Sequence, residues 1–161
     1  MVRMMDAKDQ EILTILQSNA RMPNAEIARQ VGMAASAVLE RIRKMEERGL
    51  IRGYEARVNG RALGLGIVAF VAVRSDERAV RRSTGERLAD IPEVQEVHHI
   101  AGDDCYLVKV RTADTEALGV LLRETISAIP SVRSTRTTIV LDTLKETAQL
   151  PLEMLGARDG D

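Results

Sequence analysis

"NAEIARQVGMAASAVLERIRKMEERGLI", residues Asn24 to Ile51, carries two helical patterns on either side of a glycine. In the first pattern Ile27, Ala28 and Val31 share one face, and Gly32 ends the helix. In the second, from about Ala35 to Arg48, helical spacing gathers Val38, Ile42 and Met45 into one apolar stripe, and Gly49 closes it as a C-terminal glycine should. Ser36, Glu40, Arg43, Lys44 and Glu47 then face away from that stripe, with Ala37 and Arg41 on its flanks. Two helices joined by a tight, glycine-bearing turn make a helix-turn-helix, whose second helix lies in the major groove of duplex DNA. On that reading Ser36 and Ala37 sit near the helix N-terminus, where base edges are reached. Arg41, Arg43 and Lys44 take phosphates or a guanine edge, and Glu40 accepts from a cytosine amino group. The competing reading of the same face is a solvated amphipathic helix with i,i+4 ion pairs such as Glu40–Lys44.

Working outward, Asp6 caps a first helix that runs through Ile12, Leu13 and Leu16 to about Asn19. Met22-Pro23-Asn24 breaks it and offers Asn24 as the next cap. Downstream, Ile51 to Val58 reads as a strand, which makes residues 1–58 a winged helix-turn-helix. "NGRALGLG", residues 59–66, has three glycines and little pattern, and it reads as a linker. Beyond it, Ile67 to Val73 is a β-branched apolar run fit for a buried strand. Arg78 to Ile91 is a weaker helix interrupted by Gly85. Val94 to Ala101 and Cys105 to Arg111 form a hairpin about Gly102-Asp103-Asp104, with Tyr106, Val108 and Val110 on one face. Asp114 caps a strong helix carrying Leu118, Leu121, Leu122, Ile126 and Ile129, Pro130 stops it, and Val132 to Leu141 is the last strand.

The resulting order is β-α-β-β-α-β, the split βαβ of ferredoxin-like domains, over residues 67–146. The fold class is therefore α+β, a winged helix-turn-helix followed by a ferredoxin-like domain. Such a sheet carries its helices on one face, and a bare apolar second face is covered most simply by a second copy of the chain. In the tail, residues 147–161, "QLPLEML" is fit to dock on a neighbour and "GARDGD" reads as disordered.

Charge divides with the domains: residues 1–61 are net +3 and residues 62–161 net −4, within a total of −1. Only the first half is suited to meet a polyanion. No apolar run is long enough to span a membrane and no signal peptide is visible. The single cysteine, Cys105, rules out an internal disulfide and fits a reducing compartment, so the expected location is the cytoplasm.

"MDAKDQEILTILQSNARMPNAEIARQVGM" with "VLERIRKMEERGLIRGYEARVN" resembles the N-terminal domain of the Lrp/AsnC, or feast/famine, transcriptional regulators. "HHIAGDDCYLVKVRT" and "IPSVRSTRTTIVL" resemble the hairpin and last strand of that family's small-molecule-binding (RAM-type) domain. The likeness runs from residue 5 to about 146 in order. It implies a head that binds double-stranded DNA, a body that dimerises through its sheet, assembly of dimers into tetramers or octamers, and an amino-acid effector bound between bodies. Two departures stand out. Ala34-Ala35 occupy the place of a Ser-Pro pair that opens the family's recognition helix, and Cys105 stands where the family's hairpin has a second Asp.

A free amino acid presents a carboxylate and an ammonium together, so its site needs clustered N–H donors and an acidic acceptor. Gly102 lets a ligand approach the backbone, where successive N–H groups of a turn hold a carboxylate. Asp103 or Asp104 meets the ammonium. Cys105 and Tyr106 complete the family's hairpin signature, and Thr135, Thr137 and Ile139 alternate onto one face of the strand that lines the family's pocket. The competing reading is an ordinary hairpin turn, in which Gly and Asp serve the backbone alone.

Other chemistry finds less support. His98 and His99 are adjacent on a strand and point to opposite faces, so they cannot share a metal within one chain. Cys105 fits a small interior residue better than a nucleophile. No phosphate loop or dinucleotide fingerprint appears, and no cofactor is expected. The rivals to an effector-responsive regulator are an architectural DNA binder without effector response and, further off, a Cys/His enzyme.

Overall fold

Breakers and caps cut the first sixty residues into three helices: α1 (Ala7–Ser18), α2 (Asn24–Val31) and α3 (Ala35–Glu47). The computed structural model describes residues 5–76 and 82–153. The chain divides into two compact units, residues 1–57 with 146–161 and residues 58–145. At the head of α1, Asp6 accepts from the backbone N–H of Asp9 at 2.8 Å while Asp9 accepts from that of Asp6 at 3.4 Å. This reciprocal box satisfies two N–H groups that the first turn leaves without helical partners. The cap of α2 is Pro23, not Asn24, which is already the first helical residue. Pro23 holds φ −61 and ψ 141, an extended entry that its ring favours.

Gly32 ends α2 in the left-handed region at φ 68, and the chain turns there into α3. α3 begins at Ala35 behind Ala34, which offers no side-chain cap. It closes on Gly49 at φ 69, with Gly49 N–H donating to the Glu46 carbonyl and Leu50 N–H to the Met45 carbonyl, each at 2.9 Å. That pair of bonds is a Schellman ending. Ile12, Leu16, Ile27, Ala28, Val31, Val38, Ile42 and Met45 form the core between the three helices. Each fully buried large side chain there contributes about 1.5–3 kcal/mol.

The strand expected over Ile51 to Val58 does not form; among the described residues the segment has no ladder partner. Alternation alone gives no strand when no second backbone lies alongside. Tyr54 instead donates its hydroxyl to Glu46 Oε1 at 2.9 Å. Gln149, Leu150 and Leu152 hydrogen-bond to α1 of this same chain rather than waiting for a neighbour. "GARDGD" lies outside the described residues.

In the second unit a short 3₁₀ turn (Arg61–Leu63) leads to β1 (Ile67–Ser75), α4 (Thr84–Ala89), β2 (Val94–His99), β3 (Tyr106–Thr112), α5 (Thr115–Val120) and β4 (Val132–Ile139). The four strands form one antiparallel sheet in the order β2-β3-β1-β4. This is the β-α-β-β-α-β topology read from the pattern. α4 is shorter than expected, starting at a Ser83–Glu86 capping box, and the expected residues 78–81 lie outside the described residues. Gly85 is needed within it: a Cβ there would stand 2.8 Å from Tyr106 Cε1. α5 is capped by Asp114, which accepts from Ala117 N–H at 2.7 Å. It then widens into a π-helical stretch, Leu121–Ile126. Its buried residues, with Leu88 and Ile91, cover Ala69, Val71 and Val73 of β1 and Tyr106, Val108 and Val110 of β3.

Register assigns each strand residue a face. Tyr106–Val73–Thr135, Val108–Val71–Thr137 and Val110–Ala69–Ile139 are rows on the helix-covered side. Leu107–Ala72–Arg136 and Lys109–Phe70–Thr138 are rows on the opposite side. That opposite side is apolar at its centre, with Val68, Phe70, Ala72 and Leu107, and charged at its rim.

Candidate functional site

The outer face of α3 is the first candidate. Ser36, Glu40, Arg43 and Lys44 are exposed, and Ala37 is half-buried on the flank. Lys44 Nζ lies 3.3 Å from Glu40 Oε1. The first turn of α3 holds no acidic residue and no capping side chain, so no carboxylate of that turn offsets the positive end of the helix dipole.

Arg41 differs from its neighbours. Its Nη1 donates to Asp6 Oδ2 at 2.6 Å and to Asp9 Oδ1 at 2.7 Å, tying α3 to the capping box of α1. Asp6 is held below its ordinary carboxylate range, first by the Asp9 N–H and then by the Arg41 guanidinium. Arg41 is raised in turn, with Asp6 the larger cause and Asp9 the next. A second brace runs from Lys8 Nζ to the Val31 carbonyl at 2.7 Å, which satisfies an acceptor at the end of α2. Sequence reading missed both braces. The signal for the first was the acidic pair Asp6 and Asp9, three residues apart. Tyr54 is pushed up to about 12, by burial first and by Glu46 next.

The effector candidates lie in the second unit. The turn before β3 is anchored at both ends: Ile100 N–H donates to the Cys105 carbonyl at 3.0 Å, and Cys105 N–H to the Val73 carbonyl at 2.9 Å. Gly102 sits at φ 143 with open space where a Cβ would be. Asp103 is exposed. Asp104 is not a bare acceptor, since its Oδ2 lies 2.8 Å from Arg136 Nη2, with Asp104 19% and Arg136 77% exposed. Cys105 Sγ donates to the Ser75 carbonyl and accepts from the Ser75 N–H, both at 3.4 Å. Tyr106 is buried in the core, its ring 5.1 Å from that of His99.

Thr135 and Thr137 are half-buried and Ile139 is exposed along the edge strand, on the helix-covered side. Arg136, the partner of Asp104, belongs to the other side. The candidate residues therefore split between the two faces of β4, and Tyr106 serves packing. His98 and His99 pair with Leu107 and Tyr106, on opposite faces of the sheet. Among the described residues no helix is long and apolar enough to cross a membrane.

The family model for the AsnC-type helix-turn-helix domain matches residues 5–46, and that for the Lrp/AsnC ligand-binding domain matches residues 68–150. The chain belongs to the Lrp/AsnC family. It is thus one of the Lrp/AsnC transcriptional regulators, a helix-turn-helix head followed by a ligand-binding domain. The HTH-type transcriptional regulator FL11 of Pyrococcus horikoshii is 38% identical over 149 residues, 92% of this chain and 97% of that one. The leucine-responsive regulatory protein of Escherichia coli is 34% identical over 151 residues, 92% of each chain. Among solved structures, a transcriptional regulator from Neisseria meningitidis in complex with L-methionine superposes with a TM-score of 0.86 at 28% identity, over 94% of this chain and 99% of that one. A feast or famine regulatory protein from M. tuberculosis complexed with L-methionine gives 0.84 at 35% identity, over 90% and 97%. In Lrp/AsnC terms, α3 is the second helix of the DNA-binding pair, and the Gly102 turn with β4 falls within the ligand-binding domain.

Proposed function

We propose that this Lrp/AsnC chain acts in the cytoplasm, binds duplex DNA through the outer face of α3, and does so as a homodimer whose binding or further assembly an amino acid controls. The observation that carries the DNA reading is the α3 face itself: Ser36, Arg43 and Lys44 stand exposed beside an acid-free first turn. Backbone N–H groups at such a turn suit a phosphate, and Arg43 and Lys44 extend that attraction along the groove. Ser36 is placed to reach base edges. Arg41, bonded to Asp6 and Asp9, serves by holding α3 to α1. Glu40 shares Lys44's charge until DNA displaces it.

Pairing of two chains is supported by the open side of the sheet. Phe70 is 37% exposed there amid Val68, Ala72 and Leu107. The rim carries Glu96, bonded to Lys109 at 3.1 Å and to His98 at 3.2 Å. A second copy buries this centre while the charged rim stays wet. Two heads held by such a dimer meet successive major grooves, about 34–36 Å apart on straight DNA. Dimers then assemble into tetramers or octamers.

The effector is an apolar amino acid, in keeping with the L-methionine held by two of the structural relatives. Its carboxylate suits the backbone about Gly102 or the Arg136 guanidinium, and its ammonium suits Asp103 or Asp104. Thr135, Thr137 and Ile139 then line the side-chain end.

Titration of a duplex selected from genomic fragments, at several salt concentrations, tests the DNA face. Arg43→Ala with Lys44→Ala is expected to weaken binding and to reduce the log–log salt slope by about 0.9 for each phosphate no longer neutralised. Unchanged affinity and slope would exclude this face. Equal affinity for the selected and a random duplex would instead favour the architectural reading.

A further inference from the structure

The ligand-binding family model extends to Leu150, yet residues 146–161 belong to the compact unit of the DNA-binding head. The same few residues are thus effector domain by sequence and head by packing. Their hydrogen bonds are specific. The Gln17 side chain accepts from Leu150 N–H at 2.7 Å and donates to the Leu150 carbonyl at 3.1 Å, as a neighbouring strand would. Gln149 Nε2 donates to the Gln17 carbonyl at 2.9 Å, near the end of α1. Two turns earlier on α1, Gln10 Nε2 donates to the Leu152 carbonyl at 2.7 Å. Leu152 is 8% exposed, whereas Leu141 and Leu144, just before this segment, are almost fully exposed. Where the segment begins, the Arg57 guanidinium donates to the Glu146 carbonyl.

The head is therefore discontinuous in sequence. The chain leaves it at Arg57, forms the body, and returns at Glu146. The returning segment follows β4, which carries Thr135, Thr137 and Ile139. It ends on α1, which Asp6 and Asp9 tie to Arg41 of α3.

We propose that residues 146–152 are a strap through which β4 acts on α1, and through α1 on the recognition helix. The body then reaches the head by two covalent routes rather than by one. An effector that favours one arrangement of β4 makes or breaks the strap's bonds to α1, and the packing of α1 on α3 within the head follows. Such coupling requires only that the two arrangements differ in the strap's bonds. This inference rests on reading the body as an effector domain.

The test uses the full chain and a Gln10→Ala/Gln17→Ala variant, whose replaced side chains lie outside the head core. L-methionine is the probe. Three quantities are read: the methionine-induced rise in melting temperature, the DNA affinity with and without methionine, and hydrogen exchange of α1 and α3. The strap predicts that the variant keeps the methionine-induced rise, loses most of the methionine-dependent change in DNA affinity, and exchanges α1 amides at least tenfold faster. A variant that retains the full methionine response overturns the strap. So does a wild-type chain that binds methionine without any change in DNA affinity. If methionine raises no melting temperature, the effector reading fails for that ligand, and exchange alone decides the strap. Unaltered protection of α3 in the variant overturns it, and accelerated exchange in both α1 and α3 sustains it.

Discussion

The outer face of α3 is complete within one helix of 13 residues, whereas the proposed effector residues come from a turn and an edge strand, Asp104 and Arg136 being 32 positions apart. The first needs only helical geometry to exist. The second needs strand register, and it splits between the two faces of β4 when one chain is considered alone. The proposed DNA face is thus a local property that a fold need only hold steady. The proposed effector site depends on long-range pairing and, in the proposed dimer, on what a second copy adds.

The strongest way to break this contrast is to separate the copies. Phe70→Asp places a charge at the apolar centre of the open sheet face. It is expected to yield monomers on a sizing column and to cut DNA affinity by about 10²–10⁴-fold, the advantage of linking two heads. A monomeric variant that binds DNA as well as the parent would show that one α3 suffices. Next in size is Gly102→Val. At φ 143 a β-branched residue is strained by about 1–3 kcal/mol, and it also fills the open space above the turn. The methionine-induced thermal shift should vanish while DNA binding persists. A preserved shift would move the pocket away from this turn.

Arg41 and Arg43, two residues apart on α3, sharpen the comparison within the head. Arg41→Ala leaves Asp6 and Asp9 without their cation. It should destabilise the head by about 1 kcal/mol, a small figure because Arg41 is 31% and Asp6 54% exposed to solvent. The salt slope of DNA binding should barely change. Arg43→Ala should do the reverse, leaving stability within about 0.5 kcal/mol and lowering the slope by about 0.9. Equal salt slopes for the two variants would remove the distinction between bracing and binding.

These pairs also show what the sequence could and could not reveal. The three head helices and the β-α-β-β-α-β order were legible because Ile12–Leu16, Val38–Ile42–Met45 and Tyr106–Val108–Val110 repeat with the period of their elements. Arg41 was not legible as a brace, because its partners lie 32 and 35 positions away, on a helix whose packing angle no period encodes. Apolar spacing alone predicts a strand over Ile51–Val58, but a strand also needs a partner, and among the described residues none pairs with it. The two sides of β4 could be told apart by alternation. That Asp104 joins Arg136, away from Thr135 and Thr137, follows from the path of a loop. The return of residues 149–152 to α1 had no local signature at all, since Gln10 and Gln17 look like ordinary solvated side chains.

The smallest expected effect comes from pH, and it tests whether the Arg41 brace is held by charge. The folded-state pKa of Asp6 is lowered from its ordinary 3.8. A lowered folded pKa contributes stability that is fully present above the unfolded value and lost as pH falls through the folded one. Asp6→Asn keeps an oxygen able to cap α1 but removes the charge. Wild type should therefore exceed the variant by a constant margin, below about 1 kcal/mol, at neutral pH. That margin should shrink once pH drops below about 4, as measured by denaturant midpoints. A margin that stays constant into strong acid would mean that the Asp6 charge adds nothing to the brace, leaving Asp9 as the carboxylate that holds α3 to α1.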